Sequence, residues 1–166
     1  MPSAETALEL AARRLQGEVL ARVDYLDAWP GRDRGVVADR DAVELAVYLT
    51  MASGACFEVR WADTLGSHHG FGIDVREVRV RDGDRGKLVD ATARWADRIG
   101  RRIERAAIEW GDARADLRDG FAIGIAIHAD HLRRPDYPRA LAIELDDART
   151  VAIETRFENA LTVRLG

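Results

Sequence analysis

The chain predicts a single α+β domain over residues 1–166, built largely of antiparallel sheet. Three observations predict it. Several short runs alternate apolar and polar residues at the period of a strand, longer stretches repeat apolar residues at helical spacing, and no linker or internal repeat divides the chain. With 166 residues, 47% of them hydrophobic, the chain can bury about 70% of the surface its unfolded form exposes. One core then suffices without a disulfide or structural metal.

Ser3 caps a first helix through about Gln16, with Leu8, Ala11, Ala12 and Leu15 on one face and Gly17 as its stop. "EVLARVDYL" follows as a strand that sets Val19, Ala21, Val23 and Tyr25 against Leu20, Arg22 and Asp24. After the breaker-rich loop "DAWPGRDRG", Asp41 and Glu44 stand at capping-box spacing before "AVELAVYLTMAS". That pattern predicts a helix over 42–53, apolar nearly all round and therefore central. Strands are predicted over Cys56 to Trp61 and Phe71 to Val80, joined by a hairpin connection carrying "GSHHG". A β-bulge near Arg76 and Glu77 reconciles the two apolar phases of the second.

Leu88, Trp95, Ile99, Ile103, Ala106 and Trp110 predict an amphipathic helix over 86–110. "GFAIGIAIHAD" reads as a strand whose second face, Ala122, Gly124, Ala126 and His128, has little bulk. "ALAIEL", "TVAIETRF" and "ALTVRL" close the chain as an antiparallel meander. From the first strand onward the order is βαββαβ-like, with a helix before it and the meander after it. The alternative is a hot-dog-like sheet wrapped around the helix at 42–53.

A net charge of -4 and a pI near 5.6 argue against a nucleic-acid module, which needs excess positive charge to release counterions. No basic leader with an apolar core opens the sequence, and no apolar run approaches a bilayer span, so a cytoplasmic protein without a membrane partner is expected. The lone cysteine, Cys56, agrees with a reducing compartment. Lys87 is the only lysine among 25 basic residues, a balance expected of a GC-rich bacterial genome, which lowers the meaning of arginine clusters. The arginine face of the 86–110 helix (Arg94, Arg98, Arg101, Arg102, Arg105) is therefore read as solvated, with Asp97 and Glu109 paired along it.

All four histidines fall in close pairs, His68 with His69 and His128 with His131. Imidazole is a common ligand of zinc and other divalent transition metals, and Asp63, Asp74 or Asp130 would supply a carboxylate. Adjacent residues on a regular strand point to opposite faces, and neither H-E-x-x-H nor C-x-x-C occurs. Hairpin-tip and strand-end histidines with no cofactor are thus the preferred reading. Cys56 sits in "SGACFEV", which matches no nucleophile context, and "DGDRGK" lacks the third ligand and closing Glu of a calcium loop. Trp29 and Trp61, at element ends, are the candidate recognition residues, whereas Trp95 and Trp110 lie on a packing stripe. The expected function is a non-catalytic protein-interaction or regulatory domain, immunity-type or self-assembling, with a protein partner or a second copy. The alternative is a small metal-dependent or small-molecule-binding enzyme using His68, His69, His128 and His131.

Overall fold

A computed structural model describes residues 4–27, 39–61, 72–79, 86–112, 136–156 and 160–166. They form an α+β fold of two antiparallel sheets with one α-helix among the described residues. The helix α1 (Ala4–Arg13) comes first. The strands are β1 (Leu20–Asp27), β2 (Arg40–Val43), β3 (Ala46–Met51), β4 (Cys56–Trp61), β5 (Ile73–Val78), β6 (Lys87–Asp90), β7 (Ile103–Asp112), β8 (Asp136–Leu145), β9 (Thr150–Arg156) and β10 (Ala160–Leu165). A 3-10 helix (Thr92–Trp95) lies between β6 and β7. One sheet has the order β5-β4-β3-β1-β6 and the other β2-β10-β9-β8-β7.

The core lies between the sheets. Val23, Val47, Leu49, Phe57, Val59 and Val75 of the first meet Leu141, Ile143, Ile153, Leu161 and Val163 of the second in one apolar cluster. Leu8, Ala12 and Leu15 join it from the α1 segment, which packs on edge strands β5 and β7. Gly17 takes the left-handed conformation (φ 84) and ends that segment as expected, because a Cβ is disfavoured there.

The described backbone joins the two sheets at a corner near Gly17 and at another near Leu45. At one, Gly17 N–H donates to the Ile103 carbonyl (2.8 Å), Ile103 N–H returns to Glu18 (2.8 Å), and Val19 bridges Arg102. A register shift between Leu20 and Arg22 then turns β1 into the first sheet. At the other, Leu45 N–H donates to the Leu26 carbonyl (3.0 Å) and Glu44 N–H to Asp27 Oδ1 (3.2 Å), so β2 and β3 continue one another across a bend.

The helix expected over 42–53 is strand instead, and with it goes the central helix of the hot-dog-like alternative. Val47, Leu49 and Met51 face the core between the sheets, while Ala46 and Tyr48 face a second cluster with Leu26 and Cys56. A strand buried on both faces carries a continuous apolar run, which periodicity does not separate from an all-round apolar helix. Asp41 and Glu44 cap nothing: the Asp41 carboxylate accepts from Tyr25 and Arg94.

The helix expected over 86–110 is β6, the 3-10 helix and β7. Here bulges imitate helical spacing. Glu104 has no partner in the register, since Ile103 pairs with Leu145 and Arg105 with Glu144, so Ile103 and Ala106 are buried together although three residues apart. The irregularity in β1 has the same effect, burying Leu20 with Val23 rather than Ala21. The bulge expected near Arg76 and Glu77 is absent: β4 and β5 pair without a shift, from Cys56↔Val78 to Trp61↔Ile73. Val78 simply turns to the second cluster, which needs no phase correction. The βαββαβ-like order therefore does not describe these residues. The meander holds, with β8, β9 and β10 paired in sequence order. The strand expected over "GFAIGIAIHAD" lies outside the described residues.

Candidate functional site

The buried carboxylates Asp24, Glu58 and Asp41 belong to two hydrogen-bonded networks. On the face of the first sheet turned away from the second, one cross-strand row runs Asp90, Asp24, Tyr48, Glu58 and Arg76, a residue from each of its five strands. Asp24 and Glu58 are each 1% exposed. Burying a carboxylate is costly unless it is paired, and each is. Arg22, two residues before Asp24 on β1, grips it through Nε (2.9 and 3.1 Å) and Nη2 (2.8 Å), and also reaches Asp90 at 3.7 Å. Glu58 accepts from the Tyr48 hydroxyl at Oε1 (3.0 Å) and from Arg76 Nε at Oε2. The hydrogen bonds to Asp24 and Glu58 raise the pKa of Arg22 and Arg76 respectively. Beside the row, Thr50 Oγ1 donates to the buried Cys56 Sγ (3.6 Å) and Arg60 faces Asp74 (3.5 Å).

The second network crosses the interior. Trp95 Nε1 donates to the Tyr25 hydroxyl (2.7 Å), which donates to Asp41 Oδ2 (2.8 Å), and Arg94 Nε donates to Asp41 Oδ1 (2.9 Å). Tyr25 is on β1 of one sheet and Asp41 on β2 of the other, so the 3-10 helix that supplies Arg94 and Trp95 ties both. Burial pushes the Tyr25 phenol well above its usual pKa. It holds its proton and remains a donor.

Of the residues singled out from sequence, Trp61 ends β4, where it is partly buried and packed against the core opposite Ile73. Trp29, His68, His69, His128 and His131 lie outside the described residues, as do Asp63 and Asp130. Asp74 is drawn to Arg60. Among the described residues no three His, Cys, Asp or Glu side chains are grouped to hold a metal ion, and no helix is long and apolar enough to cross a membrane. The arginine face expected to be solvated is not uniform: Arg98 is buried, and Arg94 reaches inward to Asp41. Sequence reading missed Asp24, Asp41 and Glu58. For Glu58 the signal was a lone carboxylate in the largely apolar strand Cys56–Trp61, the setting in which a charge must find a partner.

The fold and these networks define a two-sheet α+β protein in which the buried carboxylates Asp24, Asp41 and Glu58 are each held by an arginine, the last two also by a tyrosine hydroxyl. No protein-family model, curated protein or solved structure matches the chain.

Proposed function

We propose that the chain is a non-catalytic interaction domain that works by binding a protein partner or a second copy of itself. What supports this reading is how the buried carboxylates are used. Asp24, Asp41 and Glu58 each accept from an arginine, and Asp41 and Glu58 also from a tyrosine hydroxyl, so their oxygens are taken up in bonds within the fold. Their charge joins strands. Trp61, partly exposed at the rim of the core, offers aromatic surface of the kind enriched at interfaces.

Sedimentation velocity of untagged protein over a range of concentrations tests this. We expect reversible self-association, weakened by Trp61→Ala. A monomer at every concentration that carries about one zinc per chain would instead favour the metal-dependent reading of the histidine pairs.

A further inference from the structure

On the second sheet, cross-strand pairing in the order β2, β10, β9, β8, β7 sets Arg40, Arg164, Ala152, Ala142 and Ala107 in one row. The next row is Ala42, Thr162, Glu154, Ala140 and Glu109. Their neighbours along the strands, among them Leu141, Ile143, Ile153 and Val163, fill the core, so these side chains lie on the face turned away from it. Such a face ordinarily carries polar residues, and alanine is depleted in strands. Here Ala107, Ala142 and Ala152 make a low, partly exposed floor, with Arg40 and Arg164 exposed at its β2 end and Glu109 beside its β7 end.

The same face holds an unmet hydrogen bond. Thr162 is 6% exposed, and its Oγ1 is sealed from solvent with no hydrogen-bond partner among the described residues. A hydroxyl in that state has given up water and gained nothing in return. Glu154, opposite it on β9, is held by Arg164 from the neighbouring row. Drawing Arg164 away would free this carboxylate to accept from Thr162. The charges at the two ends of the face are also lightly held: Arg40 meets Asp39 at 3.9 Å and Glu109 meets Arg139 at 3.5 Å, both in contacts open to solvent.

We propose that this face binds a second copy of the chain, related to the first by a two-fold axis that runs along the strands over β9. That operation lays β2 and β10 of one copy over β7 and β8 of the other. Arg40 and Arg164 then stand over the partner's Ala107 and Ala142, long side chains on a floor of methyl groups, and Arg40 reaches the partner's Glu109. The two copies of Glu154 meet near the axis, where Arg164 of each chain balances them. Mixed charge of this kind fits a copy of itself, whereas a polyanion would need one sign throughout. The proposal rests on the reading of the chain as an interaction domain, and it places the contact between copies on the second sheet, whereas Trp61 is on the first.

Sedimentation velocity of the untagged full chain tests it, with unfolding curves to show that each variant is folded. The wild type is expected to dimerise reversibly. Arg40→Glu and Glu109→Arg each set like charges together at both symmetric contacts and should weaken the dimer roughly tenfold or more. An equimolar mixture of these two variants should associate like the wild type, because both contacts between unlike copies again join opposite charges. Ala142→Arg fills the floor from an outward, partly exposed position and should abolish the dimer; should it not fold, the two charge variants and their mixture decide. A mixture that associates no better than its components overturns the proposal. So does a dimer that only Trp61→Ala weakens, which leaves the interaction-domain reading standing. A chain that is monomeric at every concentration overturns it as well, and the interaction-domain reading then rests on a different protein as partner.

Discussion

Tyr25 shows how much one hydroxyl can organise. It accepts from Trp95 and donates to Asp41, so Tyr25→Phe strips the buried indole N–H of this acceptor and removes one of the donors to the Asp41 carboxylate, which keeps Arg94. We expect a loss of roughly 1–3 kcal/mol in denaturant unfolding, the range for stranding buried polar groups. An unchanged midpoint would show that the network adds nothing to stability. The same residue sets an alkaline limit. Its pKa is raised in the folded state, whereas the unfolded phenol titrates near 10, so above about pH 10 the unfolded chain releases a proton that the folded chain keeps. Its contribution is therefore complete below that pH and is lost as pH rises. Stability of the wild type should fall more steeply above pH 10 than that of Tyr25→Phe, as measured by unfolding at several alkaline pH values.

At the scale of elements, the helix α1 and the strands were not equally legible. Gly17, Leu8, Ala12 and Leu15 announced the first helix, and β4 and β10 fall where alternation or turn residues bound them. β3 and β7 were read as helices because burial on both faces removes the polar half of the strand pattern and a bulge converts a two-residue period into a three-residue one. Both causes lie in what packs around the strand. The α1 segment is a structural part of the core, since Leu15 is 0% exposed there. Leu15→Ala should cost about 2–5 kcal/mol by transfer and cavity terms. Gly17→Ala, which meets no atom within 4 Å and strains only the left-handed backbone, should cost about 1 kcal/mol. Equal effects of the two substitutions in chemical denaturation would contradict this division between packing and backbone.

For the whole molecule, the paired histidines are the remaining test of function. Glycines bracket His68 and His69 in the segment between β4 and β5, whose strands pair antiparallel up to Trp61 and Ile73. We expect His68→Ala with His69→Ala to leave both thermal stability and bound metal unchanged at neutral pH. Elemental analysis that finds about one zinc per chain, lost in this double variant and in His128→Ala, would reverse that expectation.

The sequence by itself determined the broad class, the opening helix, the C-terminal meander and the strand Cys56–Trp61, because these depend on local pattern and turn chemistry. Only the tertiary structure decided that two sheets enclose the core, and that Asp41 and Glu58 are fixed by Arg94 and Arg76. The physical reason is sequence distance. Asp41 and Arg94 are 53 residues apart and Arg76 and Glu58 are 18 apart, so neither pairing leaves a local signature. A carboxylate in an apolar strand announces that it needs a partner; which arginine answers is settled by the register of the sheets.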